Sequence, residues 1–524
     1  MVPQGPRHTF RLQQSLHNVK VFHKVPGNND PYITYWDLEG KVLQIRPPTS
    51  QGIIIYRYNQ HKKISSITAG DKKTNFRYDN FLMLKEIVHE TGLVILKTTM
   101  QHLQGLLVDV KVNFNAKSAF ADAKFSYDYT KHLNLKRIKG RIGGQAIPKV
   151  GLFYVSDSTR MRRDTNGYFS MYTHNLNETT LTDGNAIYTR TDSSLTLVIN
   201  TVEVFRAEYK YNTCNKLSES QMLLKRSTSF FKQVKKFLYD DDGQILEVQE
   251  NDHTWKYAYD QNGNLKKQIF GKNNHVFDYD DWDQLIRYNQ AVFSYDSLGR
   301  TLKNYKKYKF EYNSGNLLTQ VYDTRKGLRI WYFYDEMDRL VGRKDSIGNI
   351  TQFHYAMPDK PNLVTHIYRT REGRLTSLVY DDHDTLIFAR VNQEDYYVSC
   401  DQLGGPFLFF SGTGSLVKEV SRSPYGQITY DSEPSIDIPV RIYGGIHDEE
   451  TGLLHIQNGD RRGVYDGFLG SFLTPDWQSV PDKLHRPETL LLYRINGNDP
   501  INDPRRQSIG MFNFYFYLFP TLVL

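Results

Sequence analysis

One short pattern recurs along the chain and restricts the folds it can adopt. A large apolar residue, any residue and a tyrosine are followed at once by aspartate or asparagine, in eleven copies from Tyr56 to Asp381. In the most regular stretch, successive tyrosines are 20, 20, 16, 17 and 22 residues apart. The tyrosines of that stretch and of the last copy are Tyr239, Tyr259, Tyr279, Tyr295, Tyr312, Tyr334 and Tyr380.

The spacing inside each copy predicts β-strands joined by tight turns. Apolar residues at positions i and i+2 lie on one face of a strand, and Tyr308 to Tyr312 alternates strictly. An aspartate after the tyrosine begins a turn by bonding its own backbone. Gly243, Gly263 and Gly299 follow three residues after such an aspartate, where a turn needs positive φ. Each copy therefore predicts one hairpin.

Because a lone hairpin is marginally stable in water, the hairpins are expected to stack and bury their aromatic rings. The predicted fold class is all-β: a spiral of stacked β-hairpins that forms a hollow, barrel-like shell. The repeat tyrosines are interpreted as inward-facing packing residues, and the alternative is an aromatic row that stacks on sugar rings. One stretch, Ser218 to Val234, is predicted as a short helix.

The composition argues against a nucleic-acid-binding protein but does not decide whether the protein is intracellular or extracellular. The net charge is +8 over 524 residues, a mild excess that does not imply nucleic-acid binding. Cys214 and Cys400 allow at most one disulfide. No signal peptide is visible at the N-terminus, and the apolar run Met511 to Leu524 is short for a membrane span. Any membrane anchor is therefore expected outside this chain.

The sequence predicts no catalytic, cofactor-binding or metal-binding residue. Gly140-Arg-Ile-Gly143-Gly144 has the wrong spacing for a phosphate-binding loop. His89-Glu90 lacks the second histidine of a zinc-protease motif, and the residues between His447 and His455 fit no zinc or calcium template. We therefore expect a protein that is not an enzyme and needs no cofactor.

Two sequons make Asn177 and Asn349 candidates for glycosylation. Asn349 follows Gly348 in a predicted hairpin turn, so its side chain is expected to be exposed.

The repeated tyrosine pattern and its turns resemble the YD repeat of the RHS and teneurin proteins, and the chain is more similar to the teneurins. The stretches that carry the resemblance are Tyr259–Leu265, Phe310–Leu317, Tyr332–Leu340, Cys400–Pro406, Pro424–Gln427 and Gly470–Asp476. On this resemblance the chain divides into a divergent N-terminal part of the YD shell (1–230), regular YD repeats (231–400), an RHS-core-like closing segment (401–504) and an unrelated apolar tail (505–524).

The resemblance implies a fragment of the extracellular shell of a single-pass cell-surface protein at the plasma membrane. It implies a non-catalytic role in cell–cell adhesion and signalling during neuron development and axon guidance. The implied partners are latrophilin-type adhesion receptors and other teneurins, with dimerisation in the full-length protein. Two alternatives stay open: an RHS-type shell that encapsulates a toxin, and a carbohydrate-binding protein whose partners are glycans.

Some RHS relatives cut themselves near an Asp-Pro bond, and this chain has Asp499-Pro500 and Asp503-Pro504. Such cleavage needs a second carboxyl group as acid or base. This sequence lacks the Gly-Leu pattern that surrounds the bond in those relatives, and the upstream arginine is not clearly placed. We therefore interpret both pairs as turn residues.

Overall fold

The protein is described from a computed structural model, which describes most of the chain. The described ranges are 9–15, 17–24, 30–48, 52–92, 94–115, 119–148, 150–156, 159–164, 169–175, 178–182, 185–226, 229–381, 383–457, 462–476 and 493–502. Side chains are not described between 151 and 184.

The described chain is built from antiparallel strands, and the predicted all-β spiral of stacked hairpins is confirmed. Its first sheet, here the first ladder, contains 28 strands among the described residues. Its strands are β1 (Thr9–Gln14), β2 (Val19–Lys24), β3 (Tyr32–Trp36), β4 (Val42–Arg46), β5 (Ile54–Tyr58), β6 (Ile64–Ala69), β7 (Lys72–Tyr78), β8 (Leu84–Thr91), β9 (Val94–Leu103), β10 (Leu106–Phe114), β11 (Ala123–Tyr129), β12 (Leu135–Ile142), β13 (Gln145–Ala146), β14 (Val150–Ser156), β15 (Thr159–Asp164), β16 (Phe169–Asn175), β17 (Glu178–Thr182), β18 (Ala186–Arg190), β19 (Ser194–Ile199), β20 (Val202–Tyr211), β21 (Leu217–Arg226), β22 (Ser229–Tyr239), β23 (Ile245–Glu250), β24 (His253–Tyr259), β25 (Leu265–Phe270), β26 (Asn273–Tyr279), β27 (Leu285–Tyr288) and β28 (Ala291–Val292).

Two further sheets follow in chain order. The second ladder contains β29 (Ser294–Tyr295), β30 (Thr301–Lys303), β31 (Tyr308–Tyr312), β32 (Leu318–Asp323), β33 (Leu328–Tyr334), β34 (Leu340–Asp345), β35 (Ile350–His354), β36 (His366–Arg369), β37 (Arg374–Tyr380), β38 (Leu386–Val391), β39 (Glu394–Cys400), β40 (Pro406–Ser411), β41 (Leu416–Arg422) and β42 (Ile428–Asp431). The small sheet contains β43 (Ile446–Asp448), β44 (Leu453–Ile456), β45 (Gly463–Asp466) and β46 (Ser471–Phe472). Short 3₁₀ turns lie at Ile442–Gly444 and Asn496–Asn498. No helix in the described ranges is long and apolar enough to cross a membrane.

Each ladder is a meander in which strands pair with their neighbours in the sequence. The alternation of the sequence sets the faces: in β24, Trp255 and Tyr257 are buried while Lys256 is exposed. Near the turn after β12, the short strand β13 and then β14 both pair with β12.

The helix predicted for Ser218 to Val234 is wrong. These residues form β21 and most of β22, which pair with each other from Glu219–Lys236 to Arg226–Ser229. Met222 and Leu224 are buried on one face of β21. Ladder pairing on both sides and this burial outweigh the local helical preference of the segment.

The two ladders meet through side chains. Ser314 donates to the carbonyl oxygen of Ala69 over 2.6 Å, and Tyr188 donates to that of Ile387 over 2.7 Å. Arg226 and Glu419 form an ion pair of 2.6 Å. Among the described strands, no backbone pairing joins one ladder to the other. The spiral is therefore held along its axis by packing and polar side-chain contacts.

Candidate functional site: the tyrosine staples and the closing segment

Each repeat tyrosine ends its strand at a β-bulge. In the first regular repeat, Leu238 lies opposite Glu247 and Tyr239 opposite Ile245, so Leu246 is the extra residue. The same shift occurs at the other six repeat tyrosines, namely Tyr259, Tyr279, Tyr295, Tyr312, Tyr334 and Tyr380. A bulge increases local twist, so one bulge per hairpin makes the sheet curl.

The aspartate after each tyrosine, or Asn313 after Tyr312, organises the turn. Asp260 Oδ1 accepts backbone hydrogen bonds from Asn262 at 2.9 Å and from Asn264 at 2.8 Å. Gly263 then adopts φ of +77°, and Gly243 and Gly299 have φ of +80° and +76°. In other repeats the same position is an aspartate, as at Asp283 and Asp338, with φ of +58° and +59°. Sequence reasoning missed this substitution, although aspartate tolerates the left-handed region better than most residues.

Each tyrosine hydroxyl staples its hairpin to the preceding one. The hydroxyl donates to the carbonyl oxygen of the residue that begins the second strand of the hairpin before it, as Tyr279 does to Leu265 over 3.0 Å. The equivalent bonds are Tyr239 to Leu217, Tyr259 to Ile245, Tyr295 to Leu285, Tyr312 to Thr301 and Tyr334 to Leu318, at 2.8 to 3.0 Å. Tyr380 donates over 2.8 Å to Val364, which lies two residues before β36. The conserved spacing of apolar residue, tyrosine and aspartate within this chain thus encodes a hydrogen bond between hairpins.

The series of hydrogen bonds between hairpins continues at Cys400, which the tyrosine pattern did not identify. Cys400 occupies the tyrosine position of the hairpin that follows Tyr380, and its thiol lies 3.2 Å from the carbonyl oxygen of Leu386. The signal was Asp401, whose carboxylate accepts the turn hydrogen bonds of Leu403 and Gly405. Cys400 is buried and Cys214 is exposed, and no disulfide joins them.

The repeat rings lie inside the molecule. Tyr334 and Tyr380 are 8% and 2% exposed, and Tyr239, Tyr259 and Tyr279 are half-buried against an apolar cluster. Burial raises the pKa of Tyr380 well above its ordinary value, so its hydroxyl stays a neutral donor. The sheet face that carries these rings is called the tyrosine face below.

The closing segment begins as strands β40 to β42 of the second ladder, and its other described residues, among them Tyr425, Tyr465 and Asn502, cover the tyrosine face. The hydroxyls of Tyr425 and Tyr259 are 2.8 Å apart, and Asn502 donates to the hydroxyl of Tyr239 over 3.0 Å. Farther along the row, Tyr355 donates to Gln457 over 2.6 Å. The segment thus binds the staples directly, as well as packing on the rings.

Arg494 puts a buried positive charge among the tyrosines. It is 5% exposed, donates to the hydroxyl of Tyr279 and to the carbonyl oxygen of Leu469, and lies 5.3 Å from the centre of the Tyr279 ring. Burial lowers the pKa of Arg494, but the neighbouring phenols raise it by more, so the guanidinium stays charged. This residue therefore holds the inner layer to the wall.

The end of the closing segment forms a polar latch at Asn496–Asn502. Asp499 pairs with Lys216 at 2.7 Å, and Asn498 donates to Gln244 over 2.8 Å. The backbone nitrogen of Leu217 donates to Asn502 over 2.9 Å. These partners lie at two neighbouring turns on one edge of the wall, so the latch fixes the end of the described chain to that edge.

The latch also contains one of the two Asp-Pro pairs, Asp499-Pro500. Among described residues, the side chain of Asp499 contacts Lys216 and the Asn502 side chain, and it accepts from the backbone of Ile501 and Asn502. None of these partners is a carboxylate. Asp499 is therefore a turn residue with a cationic partner, whereas Asp503-Pro504 lies outside the described residues.

The histidines near residue 450 belong to the same buried layer. The His455 ring lies tilted at 53° to the Tyr332 ring, with 4.4 Å between their centres, and the Tyr332 hydroxyl donates to Asp448. Burial lowers the pKa of His455 to about 4 and that of His447 to about 3. Within the described residues, no cluster of histidine, cysteine and acidic side chains could hold a metal ion.

The two glycosylation candidates have different outcomes. Asn177 lies outside the described residues. Asn349 lies in a turn but is half-buried, whereas we expected it to be exposed. The turn that begins at Asp345 brings the Asn349 side chain next to the Asp345 carboxylate. The Asn349 amide nitrogen donates to that carboxylate over 2.8 Å, and the amide oxygen accepts from Arg371 over 3.0 Å.

The bulges, staples and covering layer together define a YD-repeat shell. Residues 1–501 match the family described as Teneurin YD-shell. Teneurin-m of Drosophila melanogaster is 30% identical over 517 residues, and Teneurin-1 of Homo sapiens is 27% identical over 513 residues. The alignments cover 97% and 95% of this chain but 18% of each relative. The chain belongs to the teneurin YD-shell family.

A solved structure shares the fold. The crystal structure of TcdB2-TccC3-Cdc42 matches 94% of this chain and 31% of its own with a TM-score of 0.56. The sequence identity is 15%, so this similarity concerns the fold alone.

Proposed function

We propose that this chain is a non-catalytic scaffold within the extracellular shell of a teneurin-like protein at the plasma membrane. In this role it presents a rigid surface for cell–cell adhesion and signalling in neuron development. The partners would be latrophilin-type adhesion receptors and other teneurins. The observation that carries the proposal is the family match over residues 1–501.

The use of the tyrosines supports a scaffold rather than a sugar-binding row. The seven repeat hydroxyls donate to backbone carbonyl oxygens within the chain. The rings of the first four tyrosines pack in the cluster of Phe277 and Leu265, and those of the last three pack in the cluster of Leu318 and Leu340. A ring that stacks on a sugar must offer an open face, so this row is better suited to stiffening the wall.

The closing segment supports a scaffold rather than a container for cargo. In the region of β22 to β28 the tyrosine face is packed against Tyr425, Tyr465 and Phe472 of the chain itself. A cargo inside the shell would have to contact this face, so the covering layer occupies the surface that encapsulation would use.

Biolayer interferometry tests the proposal. The full chain is immobilised and exposed to ectodomains of latrophilin-type receptors and of teneurins, with an unrelated ectodomain as control. Saturable binding to the receptor or teneurin ectodomains alone is expected. A folded chain that binds none of them, or that binds glycans on an array instead, contradicts the proposal.

A matched pair of variants shows whether binding needs the intact wall. Gly299→Ala places a methyl group 2.6 Å from the Tyr493 hydroxyl, whereas at Gly40 nothing lies within 4 Å. If the binding surface depends on the wall and its inner layer, Gly299→Ala weakens binding more than Gly40→Ala. Equal effects would place the binding surface elsewhere.

A further inference from the structure

One edge of the first ladder carries a row of exposed apolar side chains. In a meander every second turn lies at the same edge, so the turns after β3, β5, β7, β9 and β11 share one edge. On this edge Leu38, Phe81, Leu103 and Leu133 are 59%, 87%, 65% and 58% exposed. These four residues are called the apolar rim below.

The turns themselves hold these side chains outward. Asp79 accepts the backbone hydrogen bonds of Phe81 at 2.8 Å and of Met83 at 2.9 Å, which turns the backbone of the tip towards the carboxylate. The side chain of Phe81 is left in solvent. Leu133 has a φ of +65°, where glycine or asparagine would be more stable. The apolar residues are therefore not explained by the needs of the turns.

The same edge is covered elsewhere in the molecule by the chain itself. Farther along the ladder, the latch Asn496–Asn502 contacts the turns that include Lys216, Gln244 and Gly263. Asn502, which bonds Tyr239 and Leu217, is the last described residue and lies on this edge. The chain therefore continues from the edge that carries the apolar rim.

The continuing chain has the length and chemistry to reach the rim. Residues 503–524 contain the apolar run Met511–Leu524, which has six aromatic residues. From the turn after β20 to the turn after β11 the ladder has eight strands, or ~38 Å at ~4.8 Å per strand. The 22 residues after Asn502 extend to ~73 Å at ~3.3 Å per residue, so the run reaches Leu133 and continues to Phe81.

We propose that Met511–Leu524 docks on the apolar rim, against Leu133, Leu103 and Phe81 of the same chain. Both surfaces are apolar, and docking removes both from water. Because the run is covalently attached on the same edge, its effective concentration at the rim exceeds that of any separate partner at micromolar levels. The contact extends the cover that the latch gives to the neighbouring turns.

Photo-crosslinking in the full chain tests this contact. Benzoylphenylalanine replaces Phe81 in one sample and Phe230 in the control, because Phe230 is 54% exposed near the opposite edge of the ladder. Equal amounts of heavy-isotope and ordinary chains are mixed before irradiation, so mass spectrometry separates bonds within a chain from bonds between chains.

The expected result is a crosslink from position 81 to residues 511–524 of the same chain, at least ten times more abundant than from position 230. Crosslinks between chains would mean that a second copy covers the rim, and crosslinks to lipid or detergent would mean a membrane contact. Either result overturns the proposal, as does equal crosslinking from both positions.

A second measurement needs no unnatural residue. The double variant Phe81→Ser, Leu133→Ser is expected to increase the rate of chymotrypsin cleavage within 511–524 at least fivefold. Since both side chains are exposed, the unfolding temperature should stay unchanged. Phe230→Ser is the matched control. An unchanged cleavage rate in the double variant, with the fold intact, contradicts the docking.

Discussion

The strands β1 to β12 and the strands β22 to β41 use the same repeat unit but differ in what covers it. Tyr58 donates to Val42 and Tyr78 to Ile64, both over 2.8 Å, just as Tyr259 donates to Ile245 over 2.8 Å. The staple is therefore equally well formed in both regions, although the motifs are weaker in the first.

The difference lies in burial. In β5 to β9 of the first region, the apolar cluster around Ile64, Phe76 and Ile87 is small. In the second region the closing segment adds a further layer, and residues such as Tyr425 and Tyr465 become almost fully buried. The comparison teaches that local hydrogen bonds form the hairpins, whereas a covering layer converts them into a core.

The largest expected difference between the two regions is their loss of stability at low pH. Burial lowers the pKa of His354 and His447 to about 3 and of His366 and His455 to about 4. The second ladder and its cover contain all four, whereas His89, with a pKa of about 4, lies in the first ladder. Each histidine stays neutral when folded but binds a proton when unfolded below its ordinary pKa of 6.5.

Stability is therefore present above pH 6.5 and decreases as the pH falls towards 4, by about 1.4 kcal/mol per pH unit for each histidine. Hydrogen exchange from pH 7.5 to 5 should show the opening free energy falling faster in β33 to β45 than in β2 to β7. Equal slopes in both regions would contradict this expectation.

A methyl group at a turn glycine should have the next largest effect. Gly299 and Gly40 have φ of +76° and +83°, so alanine costs about 1 kcal/mol at either position. At Gly299 the new Cβ also meets the Tyr493 hydroxyl at 2.6 Å and Pro475 at 3.2 Å. We expect Gly299→Ala to cost about 1–3 kcal/mol more than Gly40→Ala in urea unfolding. Equal losses of unfolding free energy in the two variants would show that Tyr493 and Pro475 move aside without cost.

The latch should be more sensitive than an exposed ion pair. The Asp499 side chain is 5% exposed beside Lys216, whereas Asp338 is 46% exposed beside Lys72. Asp499→Asn is expected to cost about 2 kcal/mol, because a buried charged hydrogen bond is lost. Asp338→Asn should cost less than about 1 kcal/mol, since water screens that pair. Thermal unfolding of the two variants measures the difference. A larger loss of stability in Asp338→Asn than in Asp499→Asn would contradict a stabilising role of the latch.

Removing a single staple should give the smallest effect. Tyr380 is 2% exposed and donates to Val364, so Tyr380→Phe leaves a buried oxygen without its donor and costs about 1–2 kcal/mol. Tyr58 is half-buried, and water can replace its hydroxyl in Tyr58→Phe at a cost of about 0.5 kcal/mol. Chemical denaturation of both variants provides the test. A loss at Tyr58 as large as at Tyr380 would show that cover does not matter.

The repeat unit could be predicted from residues that are close in the sequence. Tyrosine, aspartate and a residue at positive φ specify strand end and turn within about ten residues, as at Tyr259, Asp260 and Gly263. The same local reasoning failed at Ser218 to Val234, where pairing with flanking strands decided the structure. It also placed Asn349 in solvent, although Asp345 and Arg371 hold its amide.

The closing segment's position could not be read from local pattern. Asn502 and Tyr239 are 263 residues apart in the sequence, and Tyr425 and Tyr259 are 166 apart. No periodicity in the chain signals which tyrosine a distant asparagine or arginine will meet. The pattern also gave no reason to expect the buried charge of Arg494, because its partners are phenols and carbonyl oxygens from separate elements.

The amino-acid sequence by itself determined the hairpins, their turns and the direction in which the rings point, because strand alternation and side-chain-to-backbone bonds act over a few residues. Only the tertiary structure decided which tyrosines are sealed from water, where the latch holds the wall and which edge stays apolar. Those outcomes depend on the curvature summed over many bulges, which brings distant segments together at positions that no short stretch specifies.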